Sequence, residues 1–213
     1  AKDTFVGLKR LEGSNLDFRV TTVVTDINVM ELWRMALLLA DFQSAKGIGL
    51  DLLVSKGKAR DSSIKPPSVD SLIAGLTELM NALKFINKRR VPPLQLREQE
   101  LLKAIVVKRN RDHVYCHACK GESLAVHPDG SLYPCGQTIG DPNFFLGTID
   151  HPDWVRLKAL SSYRLEGLDC VNCPIREYCP GDCPSRQYYN NREDRSLVCV
   201  MYQTISGYVD MLR

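Results

Sequence analysis

The sequence predicts an α/β fold over residues 1–112, followed by a small, cysteine-rich α+β region over residues 113–213. Strand-like and helix-like patterns alternate in the first half, and all eight cysteines lie between Cys116 and Cys199 in the second. The charge also changes sign. Residues 1–112 carry 19 basic and 13 acidic side chains, whereas residues 113–213 carry 9 and 12.

Two segments of the first half have the composition of buried parallel strands. Residues 18–25 (FRVTTVVT) are β-branched and apolar on both faces, and residues 48–54 (IGLDLLV) form a second candidate. At most about three strands are visible here, too few to close a parallel barrel of roughly eight. We therefore expect an incomplete sheet that begins in mid-fold and has an exposed edge.

Helical patterns occupy the rest of this half. A helix over residues 29–46 is predicted because Asn28 and Glu31 have capping-box spacing and Gly47 follows the segment. Ser68 is a suitable N-cap for a long amphipathic pattern. Together with the opening segment, the further predicted helices cover residues 4–13, 69–87 and 96–108.

The second half has shorter elements. Apolar positions alternate on either side of Pro128, Asp129 and Gly130, which predicts a β-hairpin. A strand is expected over residues 144–149 (FFLGTI), a short helix from Asp150 to about residue 160, and a C-terminal helix over residues 197–212. The chain between these helices is predicted to be cysteine-rich loop.

Composition excludes several classes of function. No apolar run approaches the ~20 residues of a membrane helix, and the start lacks a signal-peptide pattern. The run Lys88, Arg89 and Arg90 is short and has no interleaved aromatic residues, so it predicts a solvated helix end and no nucleic-acid site. We expect a cytoplasmic protein without membrane or nucleic-acid partners.

The spacing of the cysteines leaves alternatives open. A secreted disulfide framework is disfavoured, because such scaffolds are small and carry export signals. Structural zinc is the simplest interpretation of the two Cys-x-x-Cys pairs. Iron-sulfur clusters are favoured by two further features: the run from Cys170 to Cys183 does not divide into zinc knuckles, and proline follows Cys173, Cys179 and Cys183, as in bacterial ferredoxins.

The full pattern resembles a known family signature. The seven-cysteine signature of the SPASM domain is similar to the spacing found here: Cys119-x10-Gly130-x4-Cys135, then Cys170-x2-Cys173-x5-Cys179-x3-Cys183, and finally Cys199. This domain is the C-terminal extension of radical S-adenosylmethionine enzymes that mature subtilosin-type peptides, pyrroloquinoline quinone, anaerobic sulfatases and mycofactocin. The resemblance covers about half of the chain, and the segments HPDGSLYPC and FFLGTID share it.

The resemblance implies two auxiliary [4Fe-4S] clusters with interleaved ligands. The first cluster would take Cys116, Cys119, Cys135 and Cys183, and the second would take Cys170, Cys173, Cys179 and Cys199. Because one short segment then serves both clusters, cluster binding should contribute to the folding free energy of the whole region.

Residues 1–112 are similar, more weakly, to the later strands of the partial (β/α)6 barrel that binds S-adenosylmethionine in these enzymes. Under this resemblance Leu52 and Leu53 would border the adenine, although core packing explains them equally well. The catalytic Cys-x3-Cys-x2-Cys motif is absent, since Arg186 stands at the next ligand position after Cys179 and Cys183. S-adenosylmethionine and a third [4Fe-4S] cluster are therefore expected only in a full-length parent, and no catalytic residue is predicted here.

The resemblance implies an enzyme that modifies a ribosomally made peptide or protein. Gly136 stands where sulfatase maturases place an acidic residue, which favours thioether or carbon-carbon crosslinking over sulfatase maturation. The expected partners are a precursor peptide or protein and an electron-transfer protein such as ferredoxin or flavodoxin. Two alternatives remain: a zinc-stabilised interaction module and a stand-alone ferredoxin-like electron-transfer protein.

Overall fold

The structure is a computed structural model that describes residues 2–108, 115–162 and 170–209. Its first segment alternates helices with parallel strands. In chain order the elements are α1 (Lys2–Gly13), β1 (Phe18–Val24), α2 (Leu32–Ala40), β2 (Ala45–Leu52), α3 (Lys58–Asp61), α4 (Val69–Ile86), β3 (Gln95–Leu96) and α5 (Arg97–Lys108). The predicted alternation of strands and helices is confirmed, and β3 is a strand that the sequence pattern missed.

The three strands form a parallel sheet in the order β1-β2-β3. Within the described residues this sheet does not close into a barrel, so the partial barrel stays a prediction. The expectation that β1 is apolar and buried on both faces is wrong, because its side chains alternate between half-buried and exposed. The half-buried face packs on the core that α2 and α4 share with β2, whereas Val23 on the other face is 47% exposed.

The predicted helix over residues 29–46 is shorter than expected. Residues Val29–Glu31 form a 3-10 turn, α2 ends at Ala40, and β2 already begins at Ala45. Asn28 does not cap a helix: its Oδ1 accepts from the Thr25 N–H at 2.9 Å, and its Nδ2 donates to the Val23 carbonyl at 2.8 Å. The capping-box prediction is therefore wrong, because the Asn28 side chain closes the turn that follows β1.

Helix α4 confirms the predicted cap and apolar stripe. The Ser68 Oγ accepts from the Ser71 N–H at 3.2 Å, and the buried stripe runs from Leu72 to Ile86. At Gly75 a Cβ atom would lie 2.1 Å from the Val29 carbonyl oxygen. A glycine is therefore required where α4 crosses the turn that precedes α2.

Arg90 is buried and does not belong to a solvated helix end. Its Nη1 donates to the Ala40 carbonyl at 2.6 Å, and its Nη2 donates to the carbonyls of Phe42 and Ala45 at 2.6 and 2.8 Å. The end of α2 and the start of β2 thus share one guanidinium group, which explains why α2 stops at Ala40. The exposed neighbour Arg89 fits the original expectation.

The second half contains short elements. In chain order these are α6 (His117–Lys120), β4 (Ala125–Val126), β5 (Leu132–Tyr133), α7 (Pro184–Tyr189) and α8 (Arg192–Ser206), with 3-10 turns at Gly136–Thr138, Pro142–Phe144 and Trp154–Ser162. The β4-β5 hairpin is confirmed. Residues 144–149 do not form a full strand: they make isolated bridges at Gly147 and Thr148.

The helices of this half also differ from expectation. The short helix predicted from Asp150 to about residue 160 is present as a 3-10 helix, but it begins later, at Trp154, and runs to Ser162. The C-terminal helix begins earlier than expected, at Arg192, where the Asn191 side chain accepts from the Asp194 N–H at 2.8 Å. It also ends earlier than expected, at Ser206, because the described residues 207–209 are no longer helical. Helix α7 replaces part of the predicted loop.

Helix α8 joins the two halves of the chain. Its buried side chains, which include Leu197, Met201 and Tyr202, belong to the same core as Leu76 of α4 and Leu50 of β2. A second, smaller core contains Ala118, Tyr133, Phe144 and Leu160. The predicted domain boundary between residues 112 and 113 lies outside the described residues. Among the helices that are described, none has the length and apolar character needed to cross a membrane.

We expect Arg90→Met to lower the free energy of unfolding by about 2–4 kcal/mol, because it leaves three carbonyls without their charged donor. Arg89→Met removes the same charge from an exposed neighbouring position and should change stability little. Urea denaturation of both variants measures the difference. Equal losses of stability would contradict the role given to Arg90.

Candidate metal centre

The eight cysteines are free thiols of intermediate burial. We name the first group Cys116, Cys119, Cys135 and Cys183, and the second group Cys170, Cys173, Cys179 and Cys199. These are the two ligand sets that the resemblance implies. Each set draws on segments that are far apart in the sequence, so the geometry of each group depends on tertiary structure.

The second group surrounds one cavity of about 380 Å³, and all four of its cysteines line the wall. The other lining residues are Ile175, Arg176, Gly181, Ser196, Val198 and Gln203. Two N–H groups point at sulfur: the Gly181 N–H donates to the Cys179 Sγ at 3.4 Å, and the Gln203 Nε2 donates to the Cys173 Sγ at 3.5 Å. The cavity therefore combines four thiols with hydrogen-bond donors and one cationic side chain.

Local backbone geometry places the sulfurs of the second group. Gly181 has a φ of 83°, a left-handed conformation that favours glycine and turns its N–H back to Cys179. Cys199 lies in the middle of α8, whose buried face is held by the large core. The cysteine-rich segment supplies the other three thiols, so the cavity forms where this segment lies against α8.

The first group is assembled around the starts of short helices. Cys116 and Cys183 are the residues that precede α6 and α7, and Cys135 follows the hairpin strand β5. The Cys116 and Cys119 sulfurs are 3.5 Å apart, and the Cys135 Sγ accepts from the Gln137 N–H at 3.4 Å. Hairpin, α6 and α7 thus each supply part of this group.

Neighbouring charge and burial shift the thiol pKa values of the first group. The hydrogen bond between the Cys116 and Cys119 sulfurs lowers the pKa of Cys116 and raises the pKa of Cys119. The pKa of Cys183 is raised to about 11, mainly by burial, and the charges of Asp182 and Cys135 act in the same direction. The thiolate of Cys183 in turn raises the pKa of Cys119, so the thiols of this group interact electrostatically.

The second group shows the same interaction among its own members. Burial raises the pKa of Cys179, and the charges of Cys173 and Cys170 act in the same direction. Burial raises the pKa of Cys199 to about 11, followed by the charges of Cys179, Cys170 and Cys173. Four thiolates in this position repel one another, and a bound cationic centre would relieve that repulsion.

The four thiols of the second group line a cavity and, in the described structure, do not converge on a single point. Zinc holds thiolates at about 2.3 Å, which sets sulfurs roughly 3.8 Å apart, whereas a [4Fe-4S] cluster bonds each cysteine to a different iron. Across the described ranges, no three His, Cys, Asp or Glu side chains converge closely enough to hold a single ion. The cavity of about 380 Å³ is much larger than the ~30 Å³ share of one water molecule.

A buried ion pair lies between the two groups. Arg186 is 1% exposed, and its Nε and Nη2 donate to Asp182 at 3.1 and 2.5 Å. Arg186 also donates to the carbonyls of Asp194 and Arg195 at 2.5 and 2.7 Å, and Gln187 donates to Asp182. The pair therefore connects the residue next to Cys183 with the first turn of α8.

The loop after β2 contacts the cysteine-rich half. Asn190 Nδ2 donates to the Leu53 carbonyl at 2.9 Å, and its Oδ1 accepts from the Ser55 N–H at 2.9 Å. Lys56 Nζ donates to the carbonyls of Gln137 and Ile139 at 2.8 and 2.7 Å. These bonds hold the carboxyl end of β2 against the turn that carries Cys135.

The structure places the two leucines predicted to border adenine in different environments. Leu52 is buried in the large core, and Leu53 is half-buried, with its carbonyl bonded to Asn190. Contact with an adenine stays a prediction for both. Sequence reasoning missed Lys56, Asp182 and Asn190, although the position of Asp182 between Cys179 and Cys183 was a signal that could have identified it.

The chain is similar to a protein that has no assigned activity. No protein-family model matches the chain. An uncharacterized protein of Methanocaldococcus jannaschii is 28% identical over 160 residues, which cover 75% of this chain and 48% of the relative. The chain therefore spans about half the length of the curated relative it matches, and the activity of the whole protein is a matter for proposal.

In reduced, metal-free protein at neutral pH, we expect limiting iodoacetamide to label one thiol of the Cys116–Cys119 pair first and Cys183 among the last. The hydrogen bond between the two sulfurs stabilises one thiolate in the pair, whereas burial raises the pKa of Cys183 to about 11 and keeps it protonated. Mass spectrometry of timed samples measures the order, and urea-unfolded protein is the control. Labelling of the pair and of Cys183 at the same rate in the folded protein would contradict the environments described.

We expect Asp182→Asn to lower the free energy of unfolding by about 3–5 kcal/mol, because it leaves the buried Arg186 without its carboxylate. Asp150→Asn removes a charge from an exposed position and is the matched control. Urea denaturation followed by circular dichroism measures both. If the two variants unfolded at the same urea concentration, the Asp182–Arg186 pair would not stabilise the fold as described.

Proposed function

We propose that this chain is the C-terminal part of a radical S-adenosylmethionine enzyme that modifies a ribosomally made peptide or protein, and that its cysteine groups each hold a [4Fe-4S] cluster. The observation that carries the proposal is the cavity lined by all four cysteines of the second group. The cysteine spacing, which resembles the SPASM signature, supports it. We infer a cytoplasmic location, because the signature belongs to enzymes of reducing compartments.

The side chains around the second group serve to hold and tune the cluster. Four thiolates bind it, the N–H groups of Gly181 and Gln203 donate to sulfur, and Arg176 offsets negative charge. Bound clusters of this kind supply one-electron transfer. The N–H donors and the positive charge stabilise the more negative, reduced state and so raise the reduction potential.

The first group has a comparable set of supporting residues. Lys56 lies near Cys135 and Asp141; burial lowers its pKa, and the charges of these two groups oppose that shift. The Lys56 Nζ is 4.9 Å from the centre of the Tyr189 ring, and the Tyr189 hydroxyl donates to Asp141 at 2.7 Å. We propose that this cation balances thiolate charge and fixes the turn after Cys135.

The proposed parent enzyme needs components beyond these residues. The chain has no Cys-x3-Cys-x2-Cys motif, so cleavage of S-adenosylmethionine requires a third cluster held elsewhere in the parent. The proposed partners are a precursor peptide or protein and an electron-transfer protein such as ferredoxin or flavodoxin. Under this proposal the present chain transfers electrons and shapes the region near the substrate.

A zinc-stabilised interaction module is the second candidate. One observation favours it: the Cys116 and Cys119 sulfurs lie 3.5 Å apart, close to the roughly 3.8 Å expected for two thiolates on one zinc ion. A hydrogen bond between the two sulfurs in the metal-free protein gives the same separation. Metal analysis distinguishes the two candidates.

Anaerobically purified chain should contain about eight iron and eight labile sulfide atoms, four of each per group. Cys199→Ser should lower both numbers to about four by removing a ligand of the second group, and Cys135→Ser should do the same through the first. Val200→Ala, one residue from Cys199 and without a thiol, is the control and should keep both. If the unsubstituted chain contained zinc and no labile sulfide, the proposal would be rejected in favour of the zinc-stabilised interaction module.

A further inference from the structure

Each cysteine group contains one Cys-x-x-Cys pair, and the two pairs differ in how their sulfurs are held. We name Cys116 and Cys119 the first pair, and Cys170 and Cys173 the second pair. The sulfurs of the first pair share a hydrogen bond and lie 3.5 Å apart. The second pair lines the cavity, where the Cys173 Sγ accepts from the Gln203 Nε2 at 3.5 Å. The same spacing in the sequence thus gives one pair in mutual contact and one pair that faces a cavity.

The fold keeps the sulfurs of the first pair in contact. The Cys119 N–H donates to the Cys116 carbonyl at 3.1 Å, which closes a turn between them. Inside this turn Ala118 is 5% exposed and belongs to the smaller core. Helix α6 ends at Gly121, where a Cβ would lie 2.9 Å from the Lys158 Cγ. The turn is therefore anchored in the core on one side and packed against a neighbouring segment on the other.

The first pair is also within reach of small molecules in solution. Both of its cysteines have intermediate burial, and the side chains of the neighbouring His117 and Glu122 are 80% and 56% exposed. A disulfide bond joins two sulfurs at about 2.05 Å, so the sulfurs of the first pair need to approach each other by roughly 1.5 Å. Rotation of the two cysteine side chains can supply a movement of this size, and the backbone turn already brings them together.

We propose that the first pair is a redox-sensitive site: before metal binds to the first group, Cys116 and Cys119 react with a small disulfide of the glutathione class and form a disulfide with each other. One sulfur attacks the small disulfide and releases one thiol, and the other sulfur then attacks the mixed disulfide and releases the second thiol. The pair loses two electrons and two protons, and the small disulfide gains both as its two thiols form.

The disulfide controls metal loading of the first group. A sulfur in a disulfide supplies no thiolate, so oxidation of the pair removes two of the four thiols of this group. Reduction restores them, whereas a cysteine that oxidises alone can proceed to acids that are not reduced again. In a reducing compartment such disulfides are transient and respond to oxidants. Because iron and zinc both need these thiolates, the inference does not depend on the function proposed above.

The test is oxidation of the full chain, freed of metal by a chelator, in buffers with different ratios of glutathione to glutathione disulfide. Trypsin places the first pair on the peptide 112–120 and the second pair on the peptide 165–176, so mass spectrometry after alkylation measures both in one sample. The equilibrium constant for disulfide formation should be at least about tenfold larger for the first pair, which corresponds to about 30 mV. In urea, which removes the contact, the constants should agree within about twofold, because the closed loops have equal length.

Two variants separate the steps of the reaction. Cys119→Ser should leave Cys116 as a mixed disulfide with glutathione, because the second exchange step then has no attacking sulfur. Cys173→Ser is the matched control and should leave oxidation of the first pair unchanged. When the first pair is oxidised, ferrous iron with sulfide, or zinc in a parallel sample, should load only the second group, and dithiothreitol should restore loading of the first.

Three outcomes would overturn the proposal. The first is equal oxidation of the two pairs in buffer, whether or not circular dichroism shows that the metal-free chain is folded. The second is a disulfide from the first pair to Cys135 or Cys183, and the third is equal metal uptake by the oxidised and reduced chains. Zinc in place of iron, with the first-pair disulfide still formed, would reject only the cluster assignment.

Discussion

The arrangement of the cysteine-rich half depends on one buried ion pair. Asp182 lies between Cys179 of the second group and Cys183 of the first, and Arg186 binds it in a site where both side chains are almost fully buried. Because Arg186 also bonds the carbonyls of Asp194 and Arg195, the same contact fixes the first turn of α8 and hence the approach of Cys199. One short segment thus carries cysteines of both groups, and the ion pair connects them, so that a shift at one group would displace the thiols of the other.

The cysteine-rich half is also attached to the α/β half at several points. Helix α8 contributes to the core shared with α4 and β2, Asn190 bonds the loop after β2, and Lys56 bonds the turn after Cys135. A metal that orders the cysteine groups would therefore stabilise the α/β half as well, because folding and metal binding are linked through shared contacts. These attachments bring the carboxyl end of the sheet close to the first group.

Sequence patterns correctly predicted the elements whose structure depends on residues close together in the chain. Ser68 and the leucine stripe of α4 are examples, and so is the hairpin turn around Gly130, whose φ of 86° requires a residue such as glycine. The sequence predictions were wrong where contacts between residues far apart in the chain determine the local structure. Arg90 ends α2 through carbonyls some fifty residues away in sequence, and β1 is exposed on one face because of its position in the sheet. The cysteine groups were predicted from spacing and resemblance, but Asn190 and Lys56 act through long-range contacts that no local pattern specifies. Asp182 bonds Arg186 four residues later, a local spacing that the sequence does contain.

We propose that each cysteine group encloses an iron-sulfur cluster. X-ray absorption at the metal edge of the anaerobically prepared chain tests this proposal, because the spectrum identifies the metal and its neighbours together. Bound clusters should give an iron edge, sulfur neighbours and a second shell of iron atoms. A zinc edge with four sulfur neighbours at about 2.3 Å and no metal-metal scattering would contradict it.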